Sequence, residues 1–281
     1  MKERIRNNYR HMVQVIVTAV TNGYVLGFTK GKIYQGDLKR ICVPGLNCYS
    51  CPGALGSCPM GALQSMLGGR GSKFSFYVVG FFLIFGAFFG RFICGWLCPF
   101  GFLQDLLHKI PFVNKVKNLP GHTYLKYLKY VILLVFVIVL PIVVVDLVGQ
   151  GSPWFCKYIC PSGTLTGGWT LTLLNPSIRA NVGILFTWKS AILILILILS
   201  IWCYRPFCQY ICPLGAIYGF FNPIALYRYE IVEKDCIHCK KCEQVCPVSI
   251  PVYKNPNSME CIRCGACKRE CPTKAIVNQK A

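Results

Sequence analysis

The sequence is poor in charged residues, and poorest in acidic ones. Only 14% of its 281 residues are charged, with 10 Asp and Glu against 30 Lys and Arg, while 54% are hydrophobic. Soluble domains usually carry about a quarter charged residues, so the composition indicates a membrane protein. The net charge of +20 does not indicate nucleic-acid binding, because the basic residues lie in loops between apolar spans, where anionic lipid attracts them.

Histidine is also scarce, and glycine-rich phosphate-binding loops are missing. The 4 histidines form no pair inside an apolar span, which a b-type haem would need. Nothing in the sequence resembles a nucleotide loop or a Ser/His/Asp arrangement. We therefore expect neither haem nor nucleotide, and no catalytic site of the chain's own.

Long apolar runs are present, and four of them predict membrane spans. They are residues 12–28, 76–93, 127–148 and 183–202. A helix of about 20 residues crosses a hydrocarbon core of about 30 Å. The first run is interrupted by polar residues and its basic start also fits a signal peptide, but we interpret it as a retained helix. The shorter apolar segments 53–67 and 155–174 predict half-helices that re-enter the bilayer.

Four spans would place both termini on the same side of the membrane. That side would carry 21 of the 30 Lys and Arg, so the positive-inside rule makes it cytoplasmic. We expect a multi-pass protein of the cytoplasmic (inner) membrane, with both termini in the cytoplasm. A reducing compartment also suits a cysteine-rich tail.

Cysteine is abundant, with 19 residues, and its strongest motif lies in the tail. C-x2-C-x2-C-x3-C-P occurs twice, which is the spacing of two [4Fe–4S] clusters that exchange their fourth ligands. The predicted ligands are Cys236, Cys239, Cys242 and Cys271 for one cluster, and Cys261, Cys264, Cys267 and Cys246 for the other. Zinc would favour two cysteine pairs. Residues 229–281 are therefore expected to fold as a small α+β domain like the bacterial ferredoxins.

A second motif, Cys-Pro-x-Gly, occurs four times in the apolar part of the chain. The copies start at Cys58, Cys98, Cys160 and Cys212, and the last three follow Cys94, Cys156 and Cys208 by four residues. Proline suits the first turn of a helix, and the positive end of that helix would point at the thiolates and their cluster. Each copy offers two thiolates, so one cluster requires two copies.

The predicted topology decides which copies pair. The inner face is expected to hold one cluster on Cys94, Cys98, Cys208 and Cys212. The outer face is expected to hold another on Cys51, Cys58, Cys156 and Cys160, with Cys48 in reserve for Cys51. Cys42 and Cys203 are expected to be spare. The alternative is that these residues are packing cysteines or outer-face disulfides, but a four-fold repeat is hard to obtain that way.

The order of these motifs resembles a known family. Apolar spans, Cys94-Gly-Trp-Leu-Cys98-Pro, Cys208-Gln-Tyr-Ile-Cys212-Pro and eight tail cysteines follow one another. This is similar to the membrane-bound polyferredoxins that include the quinol-oxidising membrane subunit of periplasmic nitrate reductase and the nitrous-oxide reductase regulatory membrane protein. The resemblance implies electron transfer between the quinone pool or cytoplasmic donors and a partner redox complex. The outer cysteines depart from the nitrate-reductase pattern and favour a path that continues outward.

The expected fold is a membrane bundle of about four transmembrane helices with re-entrant Cys-Pro half-helices (residues 1–228), followed by the ferredoxin-like domain. The expected function is electron transfer through [4Fe–4S] clusters between a cytoplasmic or quinone-pool donor and a membrane or extracytoplasmic partner. Expected partners are other subunits of a membrane redox complex, a quinone or flavoprotein, or an acidic ferredoxin or flavodoxin. The alternative is a redox-sensing regulator or a maturation factor for another metalloenzyme.

Overall fold

The computed structural model describes residues 2–69, 75–111, 114–146 and 149–279, with side chains from residue 9 onward. Residues 147–148 of the third expected span and residues 280–281 of the tail lie outside the described residues. The α-helices are Lys2–Thr21 (α1), Val25–Lys30 (α2), Pro59–Gly68 (α3), Phe76–Phe89 (α4), Phe92–Trp96 (α5), Pro99–His108 (α6), His122–Ile132 (α7), Leu140–Val143 (α8), Trp154–Tyr158 (α9), Pro161–Gly163 (α10), Thr170–Leu174 (α11), Pro176–Ala180 (α12), Ile184–Trp202 (α13), Pro213–Phe221 (α14), Lys241–Gln244 (α15) and Ala266–Glu270 (α16). The π-helical segments are Leu133–Val139, Thr164–Trp169 and Phe207–Ile211, and the 3₁₀ turns are Asp37–Arg40 and Glu233–Asp235.

Two of the described helices are long and apolar enough to cross a membrane. They are His122–Val143, in which α7, a π-helical segment and α8 follow one another, and Ile184–Trp202 (α13). Only 28% and 17% of their most apolar windows are buried. Most of their apolar surface therefore faces outward, as it would against lipid, whereas a core helix of a soluble protein would be covered.

The expected bundle of four membrane-spanning helices is not confirmed. Helix α4 is apolar but has 14 residues, about 21 Å of helix, and it ends at Gly90, whose φ of 51° stops it. Helix α1 ends at Thr21, where the side chains of Thr21 and Asn22 bond back to the carbonyls of Val17 and Thr18. Such bonds compete with the helix, so the expected span 12–28 is not one helix.

A helix begins at the proline of every Cys-Pro-x-Gly motif, as the sequence predicts. These helices are α3, α6, α10 and α14, and α10 continues through Thr164–Trp169 into α11. The preceding cysteine is the N-cap in extended conformation each time. That these helices re-enter a bilayer stays a prediction.

The tail is a small α+β unit. Strands Tyr229–Ile231 (β1) and Ile276–Asn278 (β2) pair antiparallel, with Tyr229 opposite Asn278. The short helices α15 and α16 pack on each other. Val248, Ile250 and Val252 complete a core of the tail. This core is separate from that of the helices before residue 229, which are called the membrane part below. The division of the chain at residues 228 and 229 stays a prediction.

Candidate iron–sulfur cluster sites

The four cysteines expected to bind the first tail cluster line one cavity. This first tail set is Cys236, Cys239, Cys242 and Cys271. Cys239 is exposed and the other three are half-buried, so this set is open to solvent. Between its ligands His238 and Lys240 have φ of 51° and 56°, a costly backbone conformation for non-glycine residues that occurs mainly at functional sites.

The second tail set is more deeply buried. It consists of Cys246, Cys261, Cys264 and Cys267, and the thiol of Cys267 interacts electrostatically with the other three. Burial raises the pKa of Cys261 to about 12, with the neighbouring thiols adding to the effect. A free Cys261 is therefore protonated at neutral pH, and cluster binding must displace that proton.

The inner set, Cys94, Cys98, Cys208 and Cys212, surrounds a cavity in the core of the membrane part. All four cysteines are buried. The N–H groups of Gly101 and Gly215 each point at the motif cysteine three residues before them, with N to Sγ distances of 3.4 Å. These are helix N-terminal amides, so they favour negative charge on the thiolates.

Two buried arginines tie the halves of the inner set together. Arg91 lies three residues before Cys94 and donates to the carbonyl of Cys208 at 3.0 Å. Arg205 lies three residues before Cys208 and donates to the carbonyl of Cys94. Arg91 is 1% exposed and Arg205 is fully buried, so both positive charges lie beside the cysteines in a region with little solvent screening.

The outer set surrounds a larger cavity of about 880 Å³. The cysteines that line it are Cys48, Cys58, Cys156 and Cys160. Cys51, which the sequence favoured over Cys48, does not line this cavity, and its thiol instead faces Asn22 Oδ1 at 3.6 Å. The tight turn between them, closed by a bond from Cys51 N–H to the carbonyl of Cys48 at 3.1 Å, sends the two side chains to different places. Neither Cys42 nor Cys203 lines the cavities of the inner set, the outer set or the first tail set.

The three Cys-x-x-x-Cys pairs share one turn. In each, the N–H of the second cysteine bonds to the carbonyl of the residue before the first: Ile93, Phe155 or Phe207, at 2.9–3.1 Å. This i to i−5 bond is a π-type turn, which is frequent at functional sites. At the first of these pairs the turn also leaves little room beside the motif's glycine, since a Cβ on Gly101 would lie 3.0 Å from the carbonyl of Cys94.

No three His, Cys, Asp or Glu side chains in the described ranges come close enough to hold a single metal ion. Four thiolates on one zinc would stand about 3.8 Å apart, given Zn–S bonds of about 2.3 Å. A [4Fe–4S] cluster binds one thiolate on each of its four irons, so its four sulfur ligands stand farther apart than those of a single zinc ion. The residues present, four thiols around a cavity with amide donors beside them, fit such a cluster.

The sets lie next to one another. The loop between Cys261 and Cys264 packs on the inner set so closely that a Cβ on Gly95 would lie 2.3 Å from the carbonyl oxygen of Ile262. Leu46 lines both the inner and the outer cavity. The order is therefore tail, inner set, outer set.

Buried charges hold the tail in this position. Glu260 accepts hydrogen bonds from Arg91 at 2.8 Å and from Lys129 at 2.6 Å. Arg263 donates to the carbonyls of Phe89 and Asn222 at 2.8 and 2.7 Å. Burial alone would raise the pKa of Glu260, but Arg91 and Lys129 outweigh it and lower the pKa, so the carboxylate stays ionised and paired.

The arginines beside the inner set, and the glutamines Gln64 and Gln104, were missed by the sequence analysis. Their spacing is a signal that could have found them. Each arginine precedes a Cys-x-x-x-Cys pair by three residues, and each glutamine follows a Cys-Pro motif cysteine by six. A regular offset from a repeated motif is evidence of a shared role.

Protein-family models match much of the chain. Residues 74–120, 131–178 and 185–226 each match one model described as a 4Fe-4S binding domain, and residues 256–277 match a second model with the same description. The first three segments contain the three Cys-x-x-x-Cys-Pro motifs, and the last contains the second tail motif.

Curated relatives match about three fifths of the chain. An uncharacterized protein of Methanocaldococcus jannaschii is 30% identical over 61% of this chain and 57% of its own length. The methylamine utilization ferredoxin-type protein MauN of Methylorubrum extorquens is 26% identical over 60% and 50%. The ferredoxin-type protein NapH of Escherichia coli is 28% identical over 56% and 47%. The chain thus spans only about half the length of these relatives, and no solved structure matches it.

The matched segments contain the motifs on which the family resemblance rests, and the relatives include proteins named ferredoxin-type. The resemblance predicted from the sequence is therefore confirmed. The chain belongs to the polyferredoxin-type proteins that carry 4Fe–4S binding domains.

Proposed function

We propose that this chain is a membrane electron-transfer protein that carries four [4Fe–4S] clusters. It passes electrons between a cytoplasmic or quinone-pool donor and a membrane or extracytoplasmic redox partner. One observation carries the proposal: four sets of four cysteines follow one another through the molecule. The two tail sets exchange their fourth cysteines, Ile262 contacts the inner set, and Leu46 lines both membrane cavities.

The proposed ligands are the four sets as described. They are Cys236, Cys239, Cys242 and Cys271; Cys246, Cys261, Cys264 and Cys267; Cys94, Cys98, Cys208 and Cys212; and Cys48, Cys58, Cys156 and Cys160. Bound clusters supply reversible one-electron chemistry. The protein's own residues orient the thiolates, donate backbone N–H groups to them and exclude water from the inner set.

Electrons are proposed to enter or leave on the cytoplasmic side at the first tail set. Cys239 is exposed there, and so are Lys234, Lys240 and Lys241. These lysines would attract an acidic ferredoxin, flavodoxin or flavoprotein, because opposite charge steers electron partners into contact. The wide cavity at the outer set leaves the other end of the path accessible to a quinone or to another subunit of a redox complex.

The membrane placement rests on the two apolar, outward-facing helices. We propose a multi-pass protein of the cytoplasmic membrane with its tail in the cytoplasm, because 11 of the 30 Lys and Arg lie from residue 205 onward. The short apolar helix α4 and the Cys-Pro helices would complete the buried part of the membrane domain.

The cluster count tests the proposal. The protein is purified anaerobically in detergent, and iron and acid-labile sulfide are measured per chain. About sixteen of each are expected for four clusters. About twelve would remove the outer cluster from the proposal, and about eight would confine the clusters to the tail and overturn electron transfer through the membrane part.

A further inference from the structure

Two buried glutamines occupy equivalent positions, one beside the outer set and one beside the inner set. Gln64 lies on α3, six residues after Cys58, and Gln104 lies on α6, six residues after Cys98. Both side chains are fully buried. A buried amide is stable only when its polar atoms are bonded, so the partners of these two show what they do.

Each glutamine reaches across to a cysteine of the partner motif. Gln64 Nε2 lies 3.2 Å from Cys156 Sγ, and Gln104 Nε2 lies 3.2 Å from Cys208 Sγ. The contact is the same in both sets although nothing in the chain forces the two distances to agree. One structural device is therefore used twice.

The orientation of each amide is fixed by its oxygen. Gln64 Oε1 accepts the backbone N–H of Phe155 at 2.9 Å, and Gln104 Oε1 accepts that of Phe207 at 3.2 Å. Only the carbonyl end of an amide can accept an N–H group, so the NH₂ end faces the sulfur.

The second proton of each NH₂ group is also used. It is directed at the carbonyl one turn back on the same helix, that of Met60 at 3.3 Å or of Phe100 at 3.4 Å. With the oxygen and both N–H groups engaged, the amide cannot turn away from the cysteine.

We propose that Gln64 and Gln104 are positioning residues that raise the reduction potentials of the outer and inner clusters by donating one N–H···S hydrogen bond to each. This inference rests on the proposed function, since it requires clusters at both sets. Reduction adds negative charge that is shared by the cluster and its thiolates. A fixed N–H donor in a buried site stabilises that charge, and hydrogen bonds to the sulfurs are among the determinants of cluster potential.

The test is a redox titration of the purified holoprotein followed by electron paramagnetic resonance. Gln64→Glu and Gln104→Glu keep the oxygen that accepts the phenylalanine N–H, and they replace the N–H donor with an acceptor when the new carboxyl is ionised. Because burial favours the protonated carboxyl, the titration is made at alkaline pH. We expect Gln64→Glu to shift only the outer cluster, and Gln104→Glu only the inner cluster, to more negative potential. Each variant is thus the control for the other, and the tail clusters should not move.

Gln209→Leu is a further matched control. Gln209 is buried between Cys208 and Cys212, but its NH₂ group bonds to the carbonyl of Tyr204 and not to a sulfur. We expect this variant to leave the potential of the inner cluster unchanged. A shift as large as that of Gln104→Glu would mean that any buried change near the set moves the potential, and would overturn the proposal.

Gln64→Leu and Gln104→Leu separate tuning from simple packing. They remove the donor without adding a charge, and a smaller negative shift is expected with full iron content. Full iron content with unchanged potentials in both the Glu and the Leu variants would overturn the proposal. Loss of four irons in both would show a purely structural role and would overturn it too. A wild-type protein with only eight irons per chain would instead overturn the proposed function.

Discussion

At the inner set, two buried arginines donate to the carbonyls of Cys94 and Cys208, whereas at the outer set the half-buried Lys189 donates to the carbonyl of Cys156 at 3.1 Å. The inner set is covered by the tail, while the outer set faces a cavity of about 880 Å³. The turn, the helix start and the glutamine are nevertheless the same at both.

The difference separates two tasks. The Cys-Pro-x-Gly motif and the glutamine that follows one of its copies in each set place the sulfurs in the same way at both sets. The charge around each set differs, because it comes from the residues that pack on the motif: two buried arginines at the inner set and a half-buried lysine at the outer set. Buried positive charges stabilise the more negative, reduced cluster, so we expect the inner cluster to have the higher potential of the two.

The largest effect is expected from removing one ligand of each membrane set. Cys212→Ala should lose about four irons per chain and also stop electrons from the tail reaching the outer cluster, because the inner set lies between them. Cys160→Ala should also lose about four irons per chain, those of the outer cluster, but should leave the inner cluster reducible from the tail. Iron content and rapid reduction by a low-potential donor measure both. Equal reduction of the outer cluster in Cys212→Ala and wild type would contradict the order of the sets.

The fourth ligand of the outer set is tested next. Cys48→Ala should lose about four irons per chain, because Cys48 lines the outer cavity. Cys51→Ala should keep them, because that thiol faces Asn22. Iron and sulfide analysis of the two variants decides between neighbouring cysteines, and the reverse result would restore the ligand favoured by the sequence.

A loss of stability should distinguish the two arginines of the inner set. Arg205→Met leaves the buried Asp105 with Arg10 as its one ionic partner among the described residues, and breaking a buried pair costs up to about 3–5 kcal/mol. Arg91→Met should cost less, because Glu260 is 19% exposed and keeps Lys129. Thermal unfolding in detergent measures the difference, and equal losses would contradict it.

The ion pair between Asp105 and Arg205 makes the stability of the fold depend on pH. Burial would raise the pKa of Asp105, but the Arg205 guanidinium outweighs it and lowers the pKa to about 2. A lowered pKa stabilises the fold above the unfolded value of about 3.9, and this contribution is lost as the pH falls toward 2. Arg205→Met should therefore lose stability at a higher pH than the wild type does in acid unfolding.

The smallest effect is expected from adding a methyl group to the motif. A Cβ on Gly163 would lie 3.2 Å from Cys48 Sγ, whereas a Cβ on Gly80, in the middle of α4, would meet nothing within 4 Å. Gly163→Ala should slightly change the spectrum of the outer cluster. Gly80→Ala should leave that spectrum unchanged and stabilise α4 by up to about 1 kcal/mol. Matching spectra for the two variants would remove the steric explanation for the glycine.

Local patterns predicted much of this molecule. Proline and the N-cap cysteine fix the start of each Cys-Pro helix, and the grouping of the tail and inner cysteines follows from spacing and chain order. Whether these cysteines bind clusters stays a prediction. That Cys48 and not Cys51 lines the outer cavity could not be predicted, because one tight turn decides where each side chain points.

The four expected spans are not confirmed, for a different reason. Hydrophobicity does not reveal that Gly90 ends α4, or that Thr21 and Asn22 bond back to the chain and end α1. Arg91 and Arg205 each act on the cysteine pair that follows the other, so their role needs the tertiary structure.

The position of Leu46 between the two cavities has a consequence for the spectra of the two clusters. It lines both membrane cavities, and Gly45 of the inner cavity is only three residues from Cys48 of the outer one, a reach of at most about 11 Å. Paramagnetic centres in two cavities that share a wall residue couple through their electron spins. The inner and outer signals should therefore broaden together as the second cluster becomes reduced, and their coupling should disappear in any variant that lacks either one.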